Sequence, residues 1–481
     1  MKRVKPILFL LSVGMLLSCL TACTTMTQSN TALNSPQSVT NDSTANDPVE
    51  NETVKDIQPE TQNSGVSTKE KTTLTIACVG CSESKIKMVI NEFNKTYSDY
   101  QVVLSDYGYN TTVDQGKMKL QTAMQSSNPP DMLLFDSEVF ETSDVPSQGL
   151  SPLTYISRGM LLDLDEFVNN DPELNADDFV IWNALHEFGG MYVVGPKFRV
   201  HALYCLPETA EQYQGWTTDD YLALQATLEP DQDLIYNITP ERFIRYIASS
   251  YIHEVVDIET AICDFDNPDF IALLDAACQV TGFHTEDKHT QEDGSFKSAP
   301  EMIMDGELVF CTVILTSAVD VSFDRWRASG KSDTPGDAMG YIGYPTPDGS
   351  SGVYVELPYA VGICAGTEQA EGCWEFLRFM LENPMYQSAY DGTPVLESKL
   401  TENLQSINEY TKDSPWETEK SDQEILVTLA EICDKMSYYD EDILGVIEEE
   451  ASEMLSGKIS TEEAAARIQK RASIIVMERY G

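Results

Sequence analysis

Positive charge is what this chain has least of. Lys and Arg total 31 against 78 Asp and Glu, a formal net charge of −47 over 481 residues. A basic nucleic-acid footprint is absent, so no nucleic-acid partner is expected. Polyanionic partners and electrostatic adhesion to anionic lipid are disfavoured by the same surplus, which reads as a solvated acidic surface. Histidine is also scarce: His186, His201, His253, His284 and His289 show no ligand spacing. Catalytic signatures are missing. There is no Gly-x-Ser-x-Gly, no His-Glu-x-x-His, no P-loop and no Gly-x-Gly-x-x-Gly after the first strand. Asp264-x-Asp266-Asn267-Pro268-Asp269 superficially has the order of a calcium loop. Pro268 stands where a ligand is needed, and no Gly with a later Glu completes it. No metal and no cofactor are therefore expected. Acids are so abundant that nothing selects a glycoside-hydrolase pair among them. Beyond the first 22 residues no run is long and apolar enough to span a bilayer.

What is present begins at the N-terminus. Met1–Arg3 and Lys5 form a short basic start, and Ile7–Leu17 is almost wholly apolar but too short for a stable membrane anchor. Leu20-Thr21-Ala22-Cys23 follows. Small residues before a cleavage point mark a signal peptide, and with Cys23 the segment resembles the lipobox of bacterial lipoproteins. The resemblance implies a signal peptide over 1–22, cleavage before Cys23 and a lipid on its sulfur. Residues 23–71 are then the lipidated cysteine and a flexible linker, rich in Thr, Ser, Asn, Gln and Pro. Such a composition cannot offset its own ordering entropy, and roughly 48 flexible residues reach on the order of 40 Å. Loss of Lys2, Arg3 and Lys5 with the signal takes the charge from −47 to −50. The remaining roughly 410 residues suffice for two or more domains with sizeable cores.

Eleven cysteines are present. Without Cys19 and Cys23 the count is odd, and most lie in apolar surroundings such as "LVFCTVIL". Scattered cysteines in an exported chain fit an anaerobic source better than a disulfide scaffold. Cys78-x-x-Cys81 is the one suggestive pair. A redox pair, half a metal site, a local disulfide and plain packing all fit it; packing is favoured, since no second CxxC or His cluster completes a site.

The globular part opens with strand-like Leu74–Ala77. Ile86, Val89, Ile90, Phe93 and Tyr97 then recur at helical spacing. Gln101–Ser105 is a second strand. Val113, Leu120, Ala123 and Met124 mark a second helix, stopped by Asn128-Pro129-Pro130. Asp131–Phe135 is a third strand, continuously apolar. This alternation is the signature of a parallel α/β sheet, whose ligands bind beyond the carboxyl ends of the strands. Near the end, Ile443, Ile447, Ala451, Met454 and Leu455 form one stripe, Gly457 breaks it, and Ser460-x-x-Glu463 begins a last helix as a capping box. Trp374, Leu377, Met380 and Leu381 stripe a further helix and read as core.

"INEFNKTYSDYQVVLSDY" followed by "LQTAMQSSNPPDMLLFD" resembles the extracellular solute-binding proteins of carbohydrate ABC importers, the class that includes maltose-binding protein. "MLLDLDEF" (Met160–Phe167), "GGMYVVGPKFRVHALYCLPE", the helix start Gly215–Asp220, "DGELVFCTVILTS", "GYIGYPTPDGSSGVYVELPYAVGICAG" and the closing "ILGVIEEEASEMLSGKISTEEAAARIQKRASIIVMERYG" continue the match in order. The similarity covers essentially Thr72–Gly481. Ser98 replaces the commonest Pro of the family's helix end.

The resemblance implies two α/β lobes in a periplasmic-binding-protein-like fold, joined by hinge-crossing strands, with a ligand cleft between them. It places crossings near Gly195–Arg199 and Tyr354–Tyr359. Lobe one is then 72–196 plus 357–395, and lobe two 197–356 plus 396–481. A sugar site needs aromatic faces and fixed polar partners. Tyr107 and Tyr109 follow strand two. Asp136, Ser137 and Glu138 follow strand three, where the family supplies polar sugar contacts. Arg199 and His201 lie at the first crossing, Tyr354 and Glu356 at the second. Trp326 follows the strand after which the family often places a stacking ring, displaced by several residues. The implied protein is monomeric and non-catalytic. It is lipid-anchored on the extracellular face of the cell membrane, consistent with a Gram-positive anaerobe. Its partners are a carbohydrate, mono- or oligosaccharide, and the permease subunits of an ABC importer. A lipid-anchored saccharide-active enzyme, and a sensing or non-sugar binder on the same fold, are the alternatives.

Overall fold

The computed structural model describes residues 71–81, 83–109, 111–136, 150–229, 232–280, 297–329, 339–384, 391–438 and 440–481. The signal peptide, Cys23 and the linker as far as residue 70 lie outside the described residues, as do Ser137, Glu138, His284 and His289. No helix among the described residues is long and apolar enough to cross a membrane.

The strands in chain order are β1 (Thr72–Cys78), β2 (Tyr100–Asp106), β3 (Met132–Asp136), β4 (Lys197–Cys205), β5 (Asp233–Ile235), β6 (Val256–Asp257), β7 (Ile262–Cys263), β8 (Leu308–Leu315), β9 (Gly340–Ile342), β10 (Tyr354–Glu356), β11 (Tyr359–Ile363) and β12 (Thr393–Pro394). A four-stranded sheet has the order β11-β3-β1-β2. In it β1 runs parallel to both β2 and β3, while β11 is antiparallel to β3. The helices Glu83–Thr96 and Val113–Met124 connect the parallel strands. The stripe Ile86, Val89, Ile90 and Phe93 is buried, as is Leu120. Asp131 stands just before β3, not in it. Its carboxylate accepts from the Thr75 amide and hydroxyl at 2.8 Å each and from the Thr367 hydroxyl at 2.6 Å. A partly buried charge at a strand start is tolerated when its lone pairs are used in this way.

The second sheet has the order β10-β4-β8-β5, with β9 and β12 also pairing with β4. Its core gathers Trp216, Tyr221, Phe243, Phe270 and Phe310 with the inner faces of the two closing helices, Glu441–Leu455 and Thr461–Tyr480. Local capping follows the sequence. Thr217 and Asp220 form a full capping box on Thr218–Gln225, and the Ser460 hydroxyl accepts from the Glu463 amide at 3.2 Å. Asn267 caps the helix Pro268–Gln279, accepting from the Phe270 amide at 2.9 Å, so the acidic run there is a helix start with Pro at its first turn.

The chain passes between sheets at defined points. Val194 still bridges to Val361 of β11, and three residues later β4 begins in the other sheet. A Cβ on Gly195 would lie 1.9 Å from the Tyr359 carbonyl oxygen, so only glycine fits this approach. β10 belongs to the second sheet and β11 to the first, so the return falls at Leu357-Pro358. β12 pairs with Phe198 and Lys197 of β4, while Val180 donates to the Val395 carbonyl at 2.9 Å, which makes a third link. The fold is the two-lobed α/β fold of periplasmic binding proteins.

Candidate functional site

Strand alternation builds the polar patch. In β4, Phe198, Val200 and Ala202 are fully buried on one face. Arg199 and His201 therefore emerge on the other. β10 is antiparallel to β4, with Glu356 opposite Arg199 and Tyr354 opposite His201. On the other flank Ile314 of β8 stands opposite His201 and is exposed. Four of the sequence-predicted residues, Arg199, His201, Tyr354 and Glu356, thus share one face beside the crossings.

Their geometry is specific. His201 Nε2 lies 2.8 Å from Glu356 Oε2, and Arg199 Nη1 lies 3.6 Å from Glu356 Oε1. All three side chains are partly shielded from solvent, which strengthens such contacts relative to the surface. Beyond Arg199 lies Asp320, whose Oδ2 accepts from the Thr316 and Ser317 amides at 2.7 and 3.0 Å. Burial pushes the Asp320 carboxyl up, against the opposing pull of those amides and of Arg199. One turn further along the same helix, Ala318–Ser329, burial and then the Asp320 charge push Asp324 up to about 7. The Tyr341 hydroxyl donates to Asp324 Oδ2 at 3.3 Å.

Three aromatics beside the patch carried no signal in the sequence. The Tyr344 ring lies 6.4 Å from Tyr354 and 6.1 Å from Tyr246, centroid to centroid. Tyr438 has a hydroxyl shut off from solvent with no hydrogen-bond partner among the described residues. Burial, then the Glu356 carboxylate, push that phenol above its ordinary range. Tyr246, Tyr344 and Tyr438 stand far apart in sequence and in unrelated local patterns. Only sheet closure brings them near β10.

The remaining predicted residues are placed separately. Asp136 ends β3 directly opposite Tyr359, the first residue of β11. Tyr107 packs partly buried against the first core, and its amide donates to the Cys78 carbonyl at 2.9 Å. Tyr109 is 69% exposed. Trp326 sits on the helix Ala318–Ser329 with its ring 5.6 Å from Phe323 and 5.3 Å from Trp416, in an aromatic cluster of its own. Trp374 is core: it stacks on Phe167 at 5.7 Å and donates to Asp171 Oδ2 at 3.0 Å. Cys78 and Cys81, read as packing residues, are joined in a disulfide; the register of β1 brings their loop against the end of β2. The other described cysteines are free, and all but Cys278 are buried.

A charged donor, a charged acceptor, an imidazole and a tyrosine face thus stand together on strands that cross between the two sheets of this two-lobed fold. Residues 82–223 match the model of the family described as bacterial extracellular solute-binding protein, which bears out the resemblance read from the motifs. The sugar-binding protein MalE from the phytopathogen Xanthomonas citri is similar in structure, with a TM-score of 0.51 at 13% identity, over 85% of this chain and 98% of that one. A family 1 extracellular solute-binding protein from Alicyclobacillus acidocaldarius is similar with a TM-score of 0.49 at 14% identity, over 85% and 99%. At 13% identity the likeness to MalE speaks for the fold alone. No curated protein matches the chain.

Proposed function

We propose that the protein captures a carbohydrate, mono- or oligosaccharide, and delivers it without catalysis to the permease subunits of an ABC importer. It acts as a monomer at the outer face of the cell membrane, tethered through a lipid on Cys23. The lobes are 72–196 plus 357–395 and 197–356 plus 396–481. The observation that carries this reading is the patch of Arg199, His201, Tyr354 and Glu356 on the crossing strands. Hydroxyls of a sugar need fixed donors and acceptors, and an apolar sugar face needs an aromatic one. Partners already oriented by protein contacts reject a wrong hydroxyl pattern, because a mismatch leaves them unpaired. Asp136 and Tyr107 would add contacts from the first lobe; Ser137 and Glu138, next to Asp136 in sequence, are proposed as ligand residues too. A ligand touching both lobes favours the closed state by its differential affinity for it. The MalE protein of the same fold is named as sugar-binding, which supports the ligand class.

The test is a thermal-shift screen of the mature chain over mono- and oligosaccharides, with chromatography of each sugar afterwards. A saturable rise in melting temperature with the sugar recovered intact is expected. Product formation would favour the saccharide-active enzyme, and no shift with any sugar would favour a non-sugar binder.

A further inference from the structure

We infer that the Cys78–Cys81 disulfide is a redox-sensitive positioning device for the loop Tyr107–Tyr109, and so for ligand affinity. The inference rests on the sugar-binding reading above for its affinity arm only. Cys78 is the buried last residue of β1 and pairs in register with Asp106, the last residue of β2. Cys81 is partly exposed. The ring that the bond closes is tied to the loop after β2 at each step. The Cys78 carbonyl accepts from the Tyr107 amide at 2.9 Å. The Gly80 amide, inside the ring, donates to Asp106 Oδ1 at 2.8 Å, and the Gly108 amide donates to the same oxygen at 2.7 Å. The two backbones also touch: a Cβ on Gly108 would stand 2.4 Å from the Gly80 nitrogen. Gly80 holds φ +69°, a conformation that glycine adopts without cost but does not enforce. On the far side, a Cβ on Gly116 would meet Val79 Cγ1 at 2.7 Å, so the ring is wedged between the helix Val113–Met124 and the Tyr107 loop.

The Tyr107–Tyr109 loop is thus shaped through a ring whose own conformation the disulfide restricts. Opening the bond returns freedom to Gly80 and Cys81. A loop that must be ordered on binding lowers the apparent affinity by the fraction of time it is competent. Reduction is a simple exchange. A dithiol attacks, the Cys78–Cys81 bond breaks, each cysteine gains one electron and one proton, and the dithiol closes to its own disulfide. Cys81, unlike Cys78, is only partly buried and is the side from which a reductant would approach. The other described thiols are already reduced, so this pair is the described site where a reductant acts.

The experiment uses the mature chain carrying Cys278→Ser, which removes the exposed free thiol. Hydrogen exchange is followed by mass spectrometry with and without dithiothreitol, and maltotriose is titrated into both forms as the probe. Reduction should speed exchange of the Tyr107 and Gly108 amides by about tenfold. The helices Glu441–Leu455 and Thr461–Tyr480 should not change. Maltotriose should bind the reduced form about tenfold more weakly, and saturating maltotriose should then lower the midpoint potential of the pair by about 30 mV. A Cys78→Ser/Cys81→Ser variant should behave as the reduced form and ignore dithiothreitol. If that variant does not fold, the reduced parent decides the matter. Unchanged exchange at Tyr107 and Gly108, acceleration spread evenly over the protein, or faster exchange with unaltered maltotriose affinity would each overturn the inference. If neither form binds maltotriose, the ligand must be sought elsewhere, and the exchange result alone decides the device.

Discussion

The imidazole of His201 reaches diagonally across the β4–β10 pair to the carboxylate of Glu356, Nε2 to Oε2, at 2.8 Å. The direct cross-strand neighbour of Glu356 is Arg199, whose guanidinium approaches the other carboxylate oxygen at 3.6 Å. Both oxygens of one acid are therefore oriented by two cationic or cation-capable side chains from a single strand. That orientation is the property a hydroxyl-recognising site needs.

Replacing that acid is the most direct probe of the site. Glu356→Gln keeps the shape and removes the charge that holds Arg199 and His201. Affinity for the sugar identified by thermal shift should fall about ten- to a hundredfold, the 1.5–3 kcal/mol scale of a charged hydrogen bond. Isothermal titration of the folded variant gives the answer, and parental affinity would remove Glu356 from the site.

Asp136→Ala probes the opposite lobe. The carboxylate ends a buried strand at the sheet edge where α/β proteins take ligands. A loss of the same ten- to a hundredfold is expected, with circular dichroism unchanged. A variant that binds as tightly as the parent would confine the site to the crossing strands.

Asp324 makes stability depend on pH. Its folded pKa is pushed up to about 7 from an ordinary 3.8, chiefly by burial. The folded state therefore binds more protons than the unfolded state between about pH 4 and 7, and stability drops as pH rises through that window. Asp324→Asn removes this titrating group. The variant should gain on the parent by a few kcal/mol on the order-of-magnitude scale of such a shift at pH 8, and by much less at pH 4.5. Urea melts at the two pH values measure it; an equal difference at both would contradict the assignment.

Asp440 fixes the C-terminal helix pair. Its Oδ1 accepts from the Asp442 and Ile443 amides at 3.0 and 3.3 Å and meets Arg479 Nη1 at 2.5 Å, while its Oδ2 accepts from the Tyr480 hydroxyl at 2.7 Å. Asp440→Ala removes a helix cap and leaves the Tyr480 hydroxyl without this acceptor. A loss of about 3–5 kcal/mol in urea unfolding is expected. A loss below about 1 kcal/mol would mean that solvent or neighbouring acids replace it.

Cys23→Ala tests the anchor. The sulfur is the proposed site of lipid attachment, and two acyl chains suffice for stable anchoring. The variant should accumulate as uncut precursor or leave the membrane fraction. An unchanged mass and unchanged fractionation would end the lipoprotein reading.

Much of the first lobe was legible in the residues because its signals are local. The stripe from Ile86 to Phe93 and the apolar run Met132–Phe135 each involve neighbours a few positions apart, and the spacing alone forces a buried face. The helix Val113–Met124 and the Ser460 cap follow for the same reason. Asp131 was misassigned to the strand by one residue, since its tie to Thr367 spans 236 positions that no local pattern reports. The spacing of Cys78 and Cys81 fits packing and a local disulfide alike and favours packing because no second pair completes a site; the bond is found where β1 ends against β2.

The sequence by itself determined the alternation of strands and helices, the caps, the absence of a basic surface, and which residues stand at strand ends. Those properties depend on periodicity and composition, which act within a few residues. Tertiary structure alone decided that His201 meets Glu356 across 155 positions, that Tyr246, Tyr344 and Tyr438 gather beside them, and that Trp326 turns to Trp416. The His201–Glu356 contact is set by the register of β4 against β10, and a one-residue slip there would send those side chains to the other face; the ring contacts are set by how helices and loops distant in sequence pack around the sheet.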